Sequence, residues 1–458
     1  MWPTNTHATT MSTMPYQPPR HVLEVLQRIE YEAPLTADDP RYVDTREARG
    51  SQRTLDRLAR KFGLLLSTGD FLPPTKKHVL FFGHTGSGKT TELRRYARDL
   101  NGAQRFLVVE VDIAATLDHN NLQYADTLMA MARSLLGALA AAGVHPRNSA
   151  LSKLENWFNE RVLSSEEGRE FRAEVETGVQ AKAGLPFLAE LFARFTAAFR
   201  TNVAYKDSLR RVIRNSISQF AEAFNALLRD GEEALLAAGK GRRVLFMIDG
   251  TDKLRSEDRL RFFVHDAEQL LAIDAHVVYA APLSLKYEGN LTNRLDADLV
   301  LPMIKLGERD GSRCAAGTRA VKDILLKRAD RSLFASEREI ERLVEHCGGH
   351  PRELLKLLKL CCEFADEDSI DARTVEQAIA QLASEYRRFL EPDDYRLLAQ
   401  LDRDAIHAGN DERTRRLLYH LALLEYNDGA WRRSHPVVRT LEGYRRAAAE
   451  QPPQRGTL

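Results

Sequence analysis

Residues Gly83 to Thr90 read Gly-His-Thr-Gly-Ser-Gly-Lys-Thr, and directly before them Val79 to Phe82 form an apolar run suited to a buried strand. Glycines at this spacing let the backbone of Gly83, His84, Thr85, Gly86, Ser87 and Gly88 curl, so that successive N–H groups point at one anion. Lys89 then supplies a cation for the β- and γ-phosphates of a nucleotide, and the Thr90 hydroxyl a hard oxygen for Mg²⁺. From Thr91 to Asp99 the chain continues as a helix whose N-terminal dipole faces the same anions. Strand, loop, lysine, hydroxyl and helix stand in the register of a phosphate loop.

Such a loop needs an acidic partner strand. Arg243 to Asp252 supplies one, where Val-Leu-Phe-Met-Ile leads into Asp249-Gly250-Thr251-Asp252. Asp249, at the C-terminal end of a buried parallel strand, is placed to complete the Mg²⁺ shell. Asp252 has two readings: the carboxylate that orients an attacking water, because position 250 is glycine, or the N-cap of a helix from Leu254 or Ser256.

The elements that position these groups follow from periodicity. Apolar runs at 79–82, 106–111, 244–248, 276–281 and 299–306 alternate with helical stretches, which calls for a doubly wound parallel α/β sheet of about five strands with ligand at the strand C-termini. Helical spacing at His21 to Tyr31 and Thr45 to Phe62 puts two helices before the loop, packed beside the nucleotide base or as a simple lid on the sheet. Lys89 and Asp249 are much further apart than the intervening strands and crossovers require, so Gly143 to Gly239 is read as a mainly helical insertion. Within it Phe171 to Ala183 has the alternation of a hairpin strand. The insertion is either a regulatory or partner-binding arm or an elaboration of the sheet's flank.

The expected units are a disordered 1–20, a nucleotide domain over 21–310, a four-helix lid over 311–391, a winged-helix-like unit over 392–449 and a tail, 450–458. In the lid Ser336 and Asp371 are placed as N-caps. The third unit runs helix, helix, hairpin, with Asp428-Gly429 as the hairpin turn. Arg413, Arg415, Arg416, Arg432 and Arg433 could meet nucleic-acid phosphates there, but comparable numbers of acids favour a protein-docking role.

Composition excludes several classes. The 458 residues carry 66 Lys plus Arg against 65 Asp plus Glu, so no global charge draws the chain to nucleic acid or anionic lipid. Four cysteines, Cys314, Cys347, Cys361 and Cys362, lack zinc or disulfide spacing and suggest reduced thiols in the cytoplasm. No apolar run approaches the roughly 20 residues of a membrane span, and Met1 to Arg20 lacks the apolar segment of a signal peptide.

With both nucleotide motifs in place, Cys347-Gly-Gly-His-Pro-Arg-Glu-Leu354 resembles the second-domain motif of the STAND ATPases and their AAA-type relatives, including origin-recognition and transposition ATPases. The resemblance spans about Asp44 to Val438. It implies that Pro351 packs on the base or ribose and that Arg352 touches the γ-phosphate, for which a forked guanidinium is suited. The same residues also fit a helix end at Gly348-Gly349 and a helix start at Pro351. Two departures stand out. The strand ending at Ala281-Pro282 lacks a polar sensor, and Gly250 replaces the catalytic Glu of AAA relatives, so turnover should be slow or depend on Asp252. Asn293-Arg294 could offer an arginine finger to a neighbouring subunit.

The expectation is therefore an ATP- and Mg²⁺-dependent molecular switch and ATPase, acting through a protein effector or homo-oligomer, with bacterial stress or defence signalling implied by the resemblance. Two rivals remain open: a DNA-binding ATPase of a transposition or replication machine, and a nucleotide-binding scaffold with little turnover.

Overall fold

The computed structural model describes residues 16–113, 122–164, 184–201, 203–254, 256–288, 291, 295–404 and 409–450. Its centre is a five-stranded parallel sheet in the order β2-β3-β4-β1-β5, made of β1 (Lys77–Gly83), β2 (Phe106–Asp112), β3 (Arg243–Asp249), β4 (His276–Pro282) and β5 (Asp296–Val300). β1, β3 and β4 are nearly continuous apolar runs because both of their faces are covered. Their side chains divide by the period of two. Leu80, Phe82, Phe246, Ile248, Val277 and Tyr279 enter one core, while Val79, Phe81, Leu245, Met247, Val278 and Ala280 enter the other. This is the parallel P-loop α/β sheet that the strand pattern calls for. The last strand differs at both ends from the expected 299–306: it starts at Asp296 and stops at Val300, since Pro302 has no N–H to continue a ladder.

The helix beginning at Lys89 (Lys89–Leu100) and the helix Thr54–Lys61 cover one face, through Leu93, Tyr96, Leu100 and Leu58. The other face is covered by Tyr124–Ala141 and by the helices of the long intervening segment: Asn148–Trp157 with the wide turn Phe158–Val162, Gly184–Thr201, Val203–Asn215 and Ile217–Ala237. Phe158, Phe192, Phe195, Phe220 and Phe224 from that segment share one core with β1, β3 and β4. The segment elaborates the sheet's flank; the expected hairpin at 171–183 lies outside the described residues. A buried ion pair, Arg210 to Asp126 at 2.5 Å, ties it to the helix Tyr124–Ala141.

The helix expected over 45–62 is two helices. Gly50, at φ 71°, ends Arg46–Arg49, and Thr54–Lys61 starts afresh on the sheet. The helix Val22–Arg28 does not lie on the sheet, and Arg28 at its end lines the cavity beside the loop. Val22 and Val25 belong to the core of the C-terminal helices, and the Val22 N–H donates to Asp368 at 2.8 Å.

Beyond β5 come Ala315–Leu326, Glu337–His346, Pro351–Phe364 and Ala372–Arg387. Ser336 caps the second in a reciprocal box with Glu339, and Asp371 caps the fourth through the Thr374 N–H. Pro392–Arg403 and Glu412–Tyr419 follow. The second of these stops earlier than the periodicity suggests, because Leu421 is left-handed at φ 63° and the chain enters β6 (Leu423–Tyr426). β6 pairs antiparallel with β7 (Trp431–Ser434). Asn427 and Asp428 at φ 49° and 56° match the backbone hand that such a tight hairpin requires.

If the intervening helices share the sheet's core, Phe224→Ala should cost about 3–5 kcal/mol and leave a single unfolding transition by both circular dichroism and tryptophan fluorescence. Phe224 is fully buried with its ring centroid 5.8 Å from Phe220 and 6.2 Å from Phe246. Two separated transitions would mean that the segment is an independent unit.

Candidate functional site

The phosphate loop joins β1 to the helix Lys89–Leu100 at the C-terminal edge of the sheet. Gly86 and Gly88 have φ of 84° and 97°, conformations that other residues adopt only with strain. The Lys89 ammonium is buried. It donates to the Gly83 and His84 carbonyls, both at 3.0 Å, and forms an ion pair with Asp252 at 2.7 Å. Thr90 donates to Asp249 at 2.8 Å. These residues open on a cavity of about 500 Å³ that is also lined by Arg49, Thr91, Asp112, Arg328, Pro351 and Arg352.

Burial raises the Asp249 carboxyl above the ordinary range, and the charges of Asp252 and Asp112 add to the shift. For Asp252 burial acts upward too, but Lys89 outweighs it and holds the group below the ordinary range. A threonine hydroxyl and a carboxylate side by side, with Asp252 and Asp112 acting on that carboxylate, form a hard-oxygen donor pair of the kind that suits Mg²⁺. Asp252 is not a helix N-cap: it sits in a short turn, Thr251–Lys253, several residues before the helix Ser256–Leu260.

The loop's outward-facing carbonyls are held by residues from distant segments. The Thr85 carbonyl accepts from His350 Nε2 at 3.0 Å, and the Ser87 carbonyl accepts from Arg49 at 2.7 Å. His350 is the N-cap of Pro351–Phe364; its Nδ1 accepts the Glu353 N–H, which leaves the proton on Nε2. Gly348 and Gly349, at φ 62° and 73°, end the preceding helix and let the chain press against the segment after β5, where a Cβ on Gly349 would lie 2.0 Å from the Ile304 carbonyl. Pro351 starts a helix, as the helix-start reading has it, and it lines the cavity beside Arg352. The Arg352 Nε is buried without a hydrogen-bond partner, and its guanidinium would touch a Cβ at Gly86. The Thr91 hydroxyl faces the N-terminal segment, accepting the Leu35 N–H at 3.2 Å.

The hairpin also reaches the loop. His84 Nε2 accepts the Glu425 N–H at 2.9 Å, and Tyr426 donates to the Gly348 carbonyl at 2.9 Å. Glu425 is buried and pairs with Arg432 at 2.8 Å and with Tyr287 at 2.7 Å. The arginines considered for nucleic acid are engaged within the chain: Arg416 with Asp394, Arg413 with Asp393, Arg432 with Glu425, and Arg433 and Arg415 with the Arg309 and Asn410 carbonyls. Asn293 and Arg294 lie outside the described residues.

Arg49, His350 and Glu425 escaped the sequence reading. Each acts through a loop carbonyl or a backbone N–H, and no spacing rule encodes that. The one available signal was an arginine directly before a glycine in a segment already expected to pack near the loop.

No protein-family model and no curated protein matches the sequence. Among solved structures the chain is similar in overall arrangement to the RuvB Holliday junction branch migration motor of Thermotoga maritima, at 13% identity over 90% of this chain and 99% of that one, with a TM-score of 0.35. It is also similar to the Walker-type ATPase of Pyrococcus abyssi, at 13% identity over 91% and 99% of the two chains and a TM-score of 0.41. A third likeness is to the ORC1 protein of Aeropyrum pernix in complex with DNA, at 17% identity over 88% and 83% and a TM-score of 0.36. Similarity at this level carries no function across. Among the described residues no helix is long and apolar enough to cross a membrane.

Two measurements probe the site. Asp252→Asn leaves the buried Lys89 without its counter-ion and should lower the stability of the nucleotide-free protein by about 3–5 kcal/mol in urea unfolding; an unchanged midpoint would show that the pair contributes nothing. Burial pushes His84 from 6.5 to about 3, with Lys89 adding to it, and burial with Arg439 does the same to His435. The unfolded chain binds these protons near 6.5 and the folded chain does not, so stability is full above that pH and is lost as pH falls toward about 3. The melting temperature should therefore be lower at about pH 5 than at about pH 7.5, by less in His84→Asn.

Proposed function

We propose that this chain is an ATP-binding, ATP-hydrolysing molecular switch of the STAND or AAA type. The observation that carries the reading is the convergence of Lys89, Thr90, Asp249 and Asp252 on one cavity whose loop is held from outside by His350 and by the hairpin at Glu425. Asp252 pairs with Lys89. When a triphosphate binds, Lys89 turns to the β- and γ-phosphates, and Asp252 is released to accept a proton from the attacking water. That water's oxygen bonds to the γ-phosphorus as the bond to the β–γ bridging oxygen breaks. Arg352 meets the γ-phosphate, and Pro351 packs on the base or ribose. Mg²⁺, held by Thr90 and Asp249, supplies charge neutralisation when bound.

Because γ-phosphate contacts exist in only one state, ATP biases the equilibrium by its difference in affinity between states. The units we propose are a nucleotide domain over 21–310, whose first helix Val22–Arg28 packs in the core of the C-terminal helices, a lid over 311–391 and a winged-helix-like unit over 392–449, the last serving as the moving part. A cytoplasmic role in bacterial stress or defence signalling through a protein effector rests on the sequence resemblance. The rival DNA machine is disfavoured by the internal pairing of the C-terminal arginines. The low-turnover scaffold draws support from Gly250.

The test is ATP turnover by purified protein, with and without duplex DNA, at two salt concentrations, and with Lys89→Ala as the blank. Slow turnover indifferent to DNA supports the switch; DNA stimulation that collapses at high salt supports the rival. Asp252→Ala should keep ATP binding and lose turnover by about 100-fold or more, and wild-type turnover in that variant would remove Asp252 from the mechanism. Hydrogen exchange at 423–434 should rise when ATP binds. Unchanged protection there would separate the hairpin from the switch.

A further inference from the structure

We infer that Arg49 is a built-in countercharge for the bound nucleotide's phosphates, a role that rests on the nucleotide reading above. Arg49 is 2% exposed, and its guanidinium lies beneath the phosphate loop. Nε donates to the Thr45 hydroxyl at 2.8 Å, one Nη to the Pro302 carbonyl at 2.6 Å and the other to the Ser87 carbonyl at 2.7 Å. All three acceptors are uncharged. Among the described residues no carboxylate lies within 4.0 Å of it. The nearest acidic influence is Glu92, which is itself buried, is pushed upward in pKa by that burial, and accepts from Tyr42 at 3.3 Å.

A desolvated cation with no counter-ion is costly, and a fold retains one where an anion arrives to pair with it. Here the anion's seat is adjacent. One Nη lies 3.7 Å from where a Cβ on Gly88 would stand, and Arg49, Gly88 and Lys89 line the same cavity. Three of the guanidinium's five N–H groups are used, which leaves two. Lys89 has a neutralising partner in Asp252, whereas Arg49 has no carboxylate in ion-pair contact among the described residues, so an arriving phosphate would neutralise Arg49 without displacing a partner. Arg49 also links the loop to the end of β5 through Pro302, and the Ala48 carbonyl accepts the Lys305 N–H at 3.1 Å. Charge arriving at the loop is thereby felt at the start of the lid segment.

The experiment is calorimetric titration of the full chain and of Arg49→Gln, Arg49→Met and Arg49→Lys with AMP, ADP and ATP, with melting temperatures of the nucleotide-free proteins. A countercharge predicts losses that grow with phosphate number: about tenfold or more for ADP and ATP in Arg49→Gln and Arg49→Met, and little for AMP. Arg49→Lys, which keeps the charge without the fork, should recover part of the phosphate dependence. Arg49→Met should melt no lower than Arg49→Gln, since it removes a buried charge without leaving a polar group behind. Equal losses for all three nucleotides, or wild-type affinities, would overturn the countercharge and leave a structural brace. Should the wild-type chain bind no nucleotide, the nucleotide reading fails and this inference fails with it.

Discussion

A loop that points its amides at a phosphate must turn its carbonyls the other way, into protein, and each buried carbonyl then needs a donor. That requirement organises this molecule. Lys89 satisfies the Gly83 and His84 carbonyls, His350 satisfies Thr85, and Arg49 satisfies Ser87. The donors come from the loop's own helix, from the first turn of the lid helix Pro351–Phe364, and from the short helix before the sheet. One octapeptide thus fixes the relative positions of three segments separated by hundreds of residues.

Charge follows from the same arrangement. Lys89, Arg49 and Arg352 gather around the loop, and among the described residues only Lys89 of the three has a carboxylate in ion-pair contact, Asp252. Buried ion pairs contribute little net stability against an apolar alternative, because desolvation offsets most of the attraction. Their value lies in exchange. On the proposed reading an arriving polyphosphate would take over Lys89 without stranding it, and the displaced carboxylate would be released beside Asp249, whose own charge opposes it. Anion binding would then rearrange negative charge within the site as well as add to it.

Much of this was legible in the sequence, and the boundary between what was and was not has a physical cause. Local rules identified the loop, the acidic strand, the five sheet strands, the Ser336 and Asp371 caps and the hairpin turn, because each depends on residues within a few positions of one another. The misreadings arose where tertiary context overrides pattern. Gly50 splits an amphipathic stretch that helical spacing alone would continue, and Leu421 turns the chain into β6 while the apolar periodicity persists. The helix Val22–Arg28 sits with the lid because Asp368, remote in sequence, holds its N-terminus. His350 gave no signal and Arg49 only its place before Gly50, since their targets are backbone carbonyls that every residue type presents.

The contact between His84 and Glu425 carries the argument from chemistry to motion. A side chain inside the phosphate loop accepts a hydrogen bond from the main chain of β6, and the neighbouring Tyr426 donates to the glycine turn that precedes His350. Loop, lid and hairpin therefore close a triangle of hydrogen bonds, with Lys89 bound to the same residue's carbonyl on its inner side. On the proposed reading a displacement of Lys89 toward phosphate would loosen the His84 carbonyl, and the backbone that carries it also carries the imidazole facing β6. Packed cores respond to such shifts by moving between discrete arrangements and not by continuous deformation. The hairpin that receives this contact is buried along β6 and is tied to the rest of the chain by Tyr287 to Glu425 and by the Ser434 N–H to Asp402 as well as by His84 and Tyr426, so it moves as a packed unit with its neighbours.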